Sequence, residues 1–315
     1  MKKKNVVVIG GGRGQSTLLR GLKLNEDIFL TSLVTVADDG GSTGRLRKQF
    51  DIPAMGDIRD VMIAMAASET LLSQLMSYRF KDAMSSEIAG HNLGNLILTA
   101  MVEHSGNFME SIGTISKVLN VKGDIVPSTL QVITLFARML DGTIVKGEAN
   151  IPTRRNRIKE VFYQEEVRAS RQAIQAIDQA DFIIYGIGSL YTSICPNLII
   201  PDIQHALSRS SAKKIYVCNA MSQTGETDGY SVEDHVQAII DHSKNKVDAV
   251  IVANDVIPPD VLARYEQEET HQILLQQDTH EYPVIQAPLL EFKGGLVTHS
   301  PRKVAALLDK KFFKE

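Results

Sequence analysis

Short apolar runs that each end in glycine, asparagine or aspartate constrain the fold of this chain more than any other feature. The runs are four to eight residues long, rich in valine and isoleucine, and without polar alternation. They cover residues 5–9, 29–36, 182–185, 215–218 and 249–252. Such runs are typical of parallel strands that are buried on both faces. We therefore expect a sheet of parallel strands.

Helix-favouring segments lie between these runs. The predicted helices cover residues 16–24, 60–76, 165–179, 232–242 and 301–309. Ser231 with Asp234 resembles a capping box, and Ser300-Pro301 places a cap residue before a proline in the first turn. Strands that alternate with helices imply βαβ crossovers. The sequence thus predicts an α/β fold with three layers, a Rossmann-like doubly wound, mostly parallel sheet with helical insertions.

One stretch departs from the alternation. Residues 131–140 and 143–148 flank Asp141-Gly142, which predicts a β-hairpin with a type I′ turn near residues 131–149. The basic segment 151–159 is predicted to be a solvated loop. Because no repeat or clean linker is visible, we expect one domain over residues 1–315, with insertions.

Composition excludes several classes of protein. With 34 Lys and Arg against 37 Asp and Glu, the formal net charge is −3, so no broad basic field is available for nucleic acid. No apolar run approaches the roughly 18 residues that span a bilayer, and the apolar stretch after the basic start is too short for a signal peptide. Cys195 and Cys218 have no metal-site spacing and are expected to be buried thiols. We expect a cytoplasmic protein without membrane insertion.

The first glycine-rich loop follows the first predicted strand. Gly11, Gly12 and Gly14 would let a ligand approach the backbone, and the following helix offers free N–H groups to an anion. The dinucleotide pattern fails because Gln15 stands where a glycine is needed, and the Walker pattern is absent. These three glycines, with Arg13 between them, predict binding of phosphate or a nucleotide.

The second loop places Asp38 and Asp39 at the end of a strand, followed by glycines and Ser42. The carboxylates could accept ribose hydroxyls, as in a dinucleotide fold, or hold Mg²⁺ together with phosphates. Ser42 is a candidate phosphate contact. Asp57, in a further glycine-bearing loop, is more typical of a helix cap, but it could complete a metal set with the other two. His91 is expected to be a hydrogen-bonded structural histidine.

Two further strand ends carry small polar residues. The candidate ligand contacts there are Gly188, Ser189, Thr192, Asn197 and Asn219. Hydroxyl and amide groups of this kind suit phosphate, sugar or base recognition. Polar, glycine-bearing ends on four strands of one sheet together predict a site of nucleotide size.

At these motifs the chain resembles the gluconeogenesis factor (YvcK-type) family, related to the 2-phospho-L-lactate transferase (CofD-like) superfamily of deazaflavin cofactor synthesis. The resemblance extends over essentially the whole chain. It implies a cytoplasmic bacterial protein that binds UDP-sugars and is required for cell shape and for growth on gluconeogenic carbon. The matching motifs are 10–14, 36–42, 56–59, 90–96, 188–193 and 223–227.

Three positions depart from the family pattern. Arg13 stands where the family usually has Thr, and Ile187 where it has Pro. Thr298-His299-Ser300-Pro301 replaces the usual Arg-His-Asp-Pro. Arg13 could therefore supply a cation that the family normally places near position 298.

The expected function is that of a regulatory protein, not an enzyme, that binds a UDP-sugar or another nucleotide. The reason is that no convincing nucleophile or acid–base pair is visible. One alternative is a Mg²⁺-dependent phospholactate-type transferase that uses Asp38, Asp39 and Asp57. The other is a protein that binds NAD at the first two loops. The sequence leaves a homo-oligomer open.

Overall fold

Seven parallel strands form the central sheet. The computed structural model describes residues 3–68, 71–81 and 87–314. Its strands are β1 (Lys4–Gly10), β2 (Ile28–Val34), β3 (Asp124–Pro127), β4 (Phe136–Met139), β5 (Ile144–Lys146), β6 (Ile158–Phe162), β7 (Phe182–Tyr185), β8 (Lys213–Val217), β9 (Ala249–Ala253), β10 (Val284–Ala287), β11 (Leu290–Lys293) and β12 (Leu296–His299). The sheet order is β10-β9-β8-β7-β1-β2-β3, and every neighbouring pair is parallel. The predicted fold class is confirmed.

Helices flank this sheet. They are α1 (Gly12–Leu22), α2 (Gly41–Phe50), α3 (Gly56–Met65), α4 (Leu71–Ser77), α5 (Leu93–Ser105), α6 (Phe108–Val118), α7 (Arg171–Gln179), α8 (Cys195–Leu198), α9 (Pro201–Arg209), α10 (Val232–Ser243), α11 (Pro259–Gln267) and α12 (Pro301–Leu308). A 3₁₀ helix covers Glu148–Arg154, and π-helical turns cover Leu190–Ile194 and Asp309–Phe313. Within the described ranges, no helix has both the length and the apolar character needed to cross a membrane.

The apolar runs of the sequence become the centre of the core. Val8 and Ile9 of β1 and Ile183 of β7 are fully buried between the helical layers. Each such aliphatic side chain contributes about 1.5–3 kcal/mol on burial. One cluster of buried apolar residues extends from Val6 to Phe313. Both ends of the chain therefore share one core.

The prediction of one long helix over residues 60–76 is wrong. Helix α3 ends at Met65, and Ala66 instead forms an antiparallel bridge with Val121. The backbone N–H of Ala67 donates to the carbonyl of Asn120 at 3.0 Å, and Lys23 donates to the carbonyl of Ala66 at 2.6 Å. These long-range partners replace the helical hydrogen bonds, so tertiary contacts override a helix-favouring sequence.

Other predicted helix boundaries need smaller corrections. Helix α1 begins at Gly12 rather than residue 16, directly after β1. Helix α7 begins only at Arg171, because the hydroxyl of Ser170 caps it by accepting the N–H of Ala173. The capping box of Ser231 at the start of α10 is present as predicted.

The predicted hairpin is present, but its turn type is different. Strands β4 and β5 pair antiparallel, and β6 joins the other side of β4 to complete a sheet of three strands. The N–H of Gly142 donates to the carbonyl of Met139 at 3.0 Å, and Gly142 has φ +87°. A type I′ turn also needs a positive φ at Asp141, which does not have one. The predicted basic loop is largely occupied by the 3₁₀ helix and the start of β6.

Candidate functional site

The order of the strands sets the position of the site. The chain adds β2 and β3 on one side of β1, and β7 to β10 on the other. The sheet therefore changes direction between β1 and β7, and open α/β sheets bind ligands in the crevice at such a point. The first two loops follow β1 and β2, which are direct neighbours, as predicted. The loop that starts at Gly186 follows β7 on the other side of β1.

The first loop is shaped as much by packing as by space for a ligand. A Cβ on Gly14 would lie 2.6 Å from the Cα of Gly188 and from the carbonyl of Ile187. A Cβ on Gly11 would lie 2.3 Å from a carboxyl oxygen of Asp57. Gly12 has φ +61°, which favours glycine. These glycines thus let three loops meet at one point.

The amino end of α1 lies at this meeting point. Its cap residue is Gly11, and within the part of the chain that the structure describes no side-chain cap hydrogen bond is found there. The first N–H groups of a helix have no partner within the helix, and they attract anions. Arg13 in the first turn is exposed, and no hydrogen bond or ion pair of its side chain is found within the described residues. A phosphate contact of Gly11, Gly12, Arg13 or Gly14 stays a prediction.

Gln15 explains why the dinucleotide pattern is absent. Its side chain is fully buried. The amide Nε2 donates to the carbonyl of Val8 at 2.9 Å and to that of Leu33 at 3.1 Å. The side chain at position 15 therefore links α1 to the first two strands, where the pattern would have a glycine.

Asp38 and Asp39 have separate environments. Oδ1 of Asp38 accepts the N–H of Gly40 at 2.9 Å, and burial raises the pKa of Asp38. Oδ1 of Asp39 accepts the N–H of Ala149 at 2.9 Å, at the start of the 3₁₀ helix. Asp39 thus anchors the segment that follows the hairpin, while Asp38 lies closer to the meeting point of the loops.

The hydroxyl of Ser42 makes its hydrogen bonds within the protein. It is buried, and its oxygen lies 3.1 Å from Nδ1 of His91 and accepts the N–H of Asn92 at 3.2 Å. The side chain of Asn95 also donates to it, at 3.3 Å. Ser42 therefore joins the second loop to the start of α5. His91 is hydrogen-bonded, as predicted.

Asp57 lies directly against the first loop. No hydrogen bond to its carboxyl is found within the described ranges. Burial, together with the negative charges of Asp38, Asp60 and Glu148, raises the pKa of Asp57 well above its ordinary value, although Arg59 opposes this. A carboxyl that is hard to ionise and lies beside an open helix end is a candidate functional group.

The loop after β7 leads to a glutamate that the sequence analysis did not select. Glu226 is 2% exposed. Its Oε1 accepts hydrogen bonds from Thr192 at 3.1 Å and from Gln223 at 2.7 Å, and the Ser189 hydroxyl lies 3.2 Å away. Its other oxygen, Oε2, is buried, and no hydrogen-bond partner for it is found among the described residues. Ser189 and Thr192 thus lie at the edge as predicted, but both are turned towards Glu226.

A second glutamate completes the acidic set. Burial, with the charges of Asp38, Glu226 and Asp39, raises the pKa of Glu148 to about 8. Burial raises the pKa of Glu226 to about 7, although hydrogen bonds from Thr192 and Ser189 lower it. Both glutamates are therefore partly protonated near neutral pH. The motif 223–227 contained Glu226, but nothing in the sequence linked it to Glu148 or Asp38.

The two predicted asparagines position backbone. Asn219 donates to the carbonyl of Gly188 at 2.8 Å and accepts its N–H at 3.3 Å. Asn197 is fully buried and donates to the carbonyls of Gly10 at 3.1 Å and Ser193 at 2.8 Å. Both amides hold the loops that border the crevice. A direct ligand contact of either asparagine stays a prediction.

The carboxylates do not form one set of metal ligands. Among the residues that the structure describes, no three His, Cys, Asp or Glu side chains are placed to hold a metal ion. The carboxylate of Asp39 accepts the N–H of Ala149. Asp38, Asp39 and Asp57 therefore do not form the predicted metal site of three carboxylates. Mg²⁺ commonly takes only one or two carboxylates and completes its coordination with water and substrate phosphates. Asp38 and Asp57 suit that role.

Two cavities lie away from these loops. One of about 650 Å³ lies beside β2, β3, α6 and α7, and another of about 1000 Å³ lies beside β9 and β10. Neither is lined by the glycines or carboxylates described above. The candidate site is thus separate from these two cavities.

Comparisons with known proteins give close matches over nearly the whole chain. The family model for 2-phospho-L-lactate transferase CofD matches residues 6–290. A gluconeogenesis factor from Halalkalibacterium halodurans is 47% identical over 279 residues, 88% of this chain and 86% of that protein. One from Bacillus subtilis is 41% identical over 312 residues, 98% of each chain. A crystal structure of a Bacillus halodurans protein matches with a TM-score of 0.93 at 43% identity, covering 98% of this chain and 99% of the other.

Proposed function

Since this chain belongs to the CofD family and is closely similar to its gluconeogenesis factors, we propose that it binds a UDP-sugar at the crevice between β1 and β7. We further propose that the bound nucleotide makes it a regulator of gluconeogenic growth and of cell shape. The family resemblance predicted from the motifs is confirmed. Binding of the nucleotide is our inference from the site.

The observation that carries the proposal is the uncapped amino end of α1 at the point where the sheet changes direction. Gly11 leaves the first N–H groups without a side-chain acceptor, and Gly14 brings them against the loop that contains Gly188. An anion placed there would gain hydrogen bonds and a favourable helix dipole. A diphosphate fits this chemistry, and Arg13 in the same turn could add a forked contact.

The charge on four nearby acidic side chains would affect this binding. Asp38, Asp57, Glu148 and Glu226 would repel a diphosphate if all were ionised. The pKa values of Glu148 and Glu226 are raised to about 8 and about 7, so protons on these two groups can reduce the repulsion near neutral pH. A divalent cation shared between phosphates and carboxylates would do the same.

The same carboxylates favour a second candidate, a Mg²⁺-dependent transferase of phosphorus-containing groups. Asp57 is unpartnered within the described residues and lies against the loop proposed to hold phosphate. With Asp38 nearby, it could hold a metal that orients phosphates and withdraws charge. This candidate requires turnover, whereas the regulatory protein requires only binding.

A ligand panel tests both candidates. Thermal unfolding is measured with several UDP-sugars, UDP, GDP and NAD, each with and without Mg²⁺. Because binding to the folded state stabilises it by about 2.7 kcal/mol at a hundredfold excess over Kd, the expected result is a rise in Tm with UDP-sugars. A rise with NAD alone, or no rise with any UDP-sugar, would contradict the proposal. Transfer of a phosphorus-containing group to an added acceptor, seen only with Mg²⁺, would favour the transferase.

A further inference from the structure

Helix α4 presents an apolar stripe that the described chain leaves uncovered. Leu71, Leu75 and Tyr78 are 72%, 40% and 48% exposed. They follow one another at the spacing i, i+4, i+7, which places them on one side of the helix and its extension. Ser73 and Met76 are buried on the opposite side. The helix is thus attached by one side and apolar on the other.

Helix α5 continues this surface with a stripe of its own. Leu93, Leu96, Ala100 and Glu103 recur at the spacing of one helical side. Leu93 and Leu96 are partly exposed and are not among the residues that pack against the core, whereas Ala100 and Glu103 are exposed. Leu98 on the other side is buried. The outward stripe therefore has no role in the core.

The segments that carry the two stripes are joined through their backbones where α4 ends and α5 begins. The N–H of Leu93 donates to the carbonyl of Tyr78 at 2.8 Å. The backbones of Arg79 and Asn92 form an isolated antiparallel β-bridge. Ile88, which is 46% exposed, lies in the turn that leads back to α5. We name this surface the α4–α5 face and define it by Leu71, Leu75, Tyr78, Ile88, Leu93 and Leu96. Contiguous apolar patches on soluble proteins commonly mark interaction sites.

Charges at the two ends of the face select its occupant. Near the turn, exposed Arg45 and Arg79 donate to the carbonyls of Ala89 and Gly90 at 2.8 Å each. Glu103 lies on the outward stripe at the far end of α5, a helix of 13 residues that is about 20 Å long. Exposed Lys81 and Glu87 lie near the same turn, so the described charges at this end are three basic and one acidic, whereas the far end of the stripe carries the acidic Glu103. A surface with this polarity complements a copy of itself turned end for end.

We propose that the α4–α5 face is the interface of a homodimer with two-fold symmetry, in which α5 packs antiparallel against α5 of a second copy. The leucines would form the dry centre, and Glu103 of each copy would approach the basic end of the other. A membrane surface fits less well, because α4 contains no basic residue and an acidic residue lies on the stripe.

The proposed interface would also support the crevice. On its inner side, Asn95 of α5 donates to the hydroxyl of Ser42 in the second loop and accepts from Arg59 at 2.6 Å. Fixing α5 in a dimer would thus restrain the loop that contains Asp38. The dimer itself does not depend on whether a nucleotide binds.

Sedimentation velocity of the full chain over a wide concentration range tests the proposal. The wild type is expected to be a dimer, and Leu75→Glu and Leu96→Glu should each raise its dissociation constant at least about 30-fold, because each buries an unpaired charge. Leu140→Glu is the matched control, since Leu140 is 60% exposed outside this face. A wild type that stays monomeric, or a dimer unchanged by both variants, would overturn the proposal.

A cross-linking experiment needs no destabilising charge. Both natural cysteines are buried, so Ala100→Cys adds a single exposed thiol near the middle of α5. Mild oxidation should link this variant into a covalent dimer, whereas Val118→Cys on α6 should stay monomeric on the gel. Lack of a linked dimer together with a monomeric wild type would overturn the proposal. A monomer that binds vesicles of anionic lipid would assign the face to a membrane instead.

Discussion

Two glutamates only seven positions apart in the chain have opposite environments. Glu226, beside the crevice, has a pKa raised to about 7. Glu233, in the first turn of α10, has a pKa lowered to about 2. Burial raises the pKa in both places, but Glu226 is only 2% exposed whereas Glu233 is partly exposed, so the two differ in depth of burial as well as in hydrogen-bond partners.

The depth of burial and the kind of hydrogen-bond donor both differ between the two carboxyls. The carboxylate of Glu233 accepts the N–H groups of Gln276 and Gln277 at 3.0 Å each, and Nε2 of His280 lies 2.9 Å away. At Glu226 the three donors are side chains on Oε1, and no partner of the buried Oε2 is found within the described residues. A carboxylate held by backbone N–H groups is typical of a structural role, whereas a deeply buried one with a raised pKa beside further acids is a candidate functional group. We therefore assign the region of Glu233 to stability and the region of Glu226 to binding.

The largest expected effect is on the satisfied side of this comparison. Glu233→Ala should lower the free energy of unfolding by about 3 kcal/mol near pH 7, since three donors lose a charged acceptor. The folded pKa lies below the ordinary 4.5, so the contribution is present above pH 4.5 and is lost as the pH falls towards 2. Urea unfolding measures this, with the exposed Glu266→Ala as control. Equal stability of the two variants at pH 7 would contradict the assignment.

Close packing at the crevice predicts a second large effect. Gly14→Ala should destabilise the fold by about 1–3 kcal/mol, because its Cβ would meet backbone atoms that cannot move aside easily. Gly113→Ala in α6 is the control, since nothing lies within 4 Å of its Cβ. That variant should gain up to about 1 kcal/mol from helix propensity. Thermal or urea unfolding compares them, and a neutral Gly14→Ala would show that the loops do not meet as described.

The unsatisfied glutamate should respond in the opposite direction from Glu233. The folded pKa of Glu226 is above its ordinary 4.5, so ionisation costs stability progressively as the pH rises from 4.5 through about 7. Glu226→Gln should therefore stabilise the fold by about 1–3 kcal/mol at high pH and have little effect in acid. Urea unfolding at low and at high pH measures the free energy of unfolding, with the exposed Glu266→Gln as the control. A loss of stability at high pH would place Glu226 with Glu233.

The smallest expected effect concerns Arg13. If its guanidinium makes a forked contact with phosphate, Arg13→Ala should weaken UDP-sugar binding by about 1–2 kcal/mol, and Arg13→Lys should recover only part. Arg20→Ala, further along the exposed side of α1, should bind normally. Titration calorimetry measures all three. Equal affinity of the wild type and the Arg13 variants would mean that backbone N–H groups alone hold the phosphates.

Local patterns predicted much of the fold because they report local physics. The apolar runs located strands of the central sheet, and Ser231 with Asp234 located the start of α10. The break after α3 was not predictable in this way, because its cause is the pairing of Ala66 with Val121. The predicted type of the turn at Asp141-Gly142 was wrong for a related reason, since this residue pair allows more than one turn geometry.

The candidate site shows the same limit. The glycines and Asp38 were found because strand ends of a parallel sheet share one edge. Glu148 and Glu226 were missed because they come from the segment after the hairpin and from a motif without a strong chemical signature. Ser42 and Asn219 were expected at the ligand, but their hydrogen bonds go to the protein. Only three-dimensional neighbours distinguish these roles.

The proposed diphosphate site lies beside carboxyls whose pKa values are raised, so binding there should weaken as these carboxyls ionise. Calorimetric titration of a UDP-sugar without divalent metal, at about pH 6 and about pH 8.5, tests it directly, because the ligand's diphosphate stays fully ionised while Glu226 and Glu148 titrate. Binding should be at least about tenfold tighter at the lower pH, and the double variant Glu148→Gln with Glu226→Gln should lose most of this dependence. Equal wild-type affinity at both pH values would contradict the account.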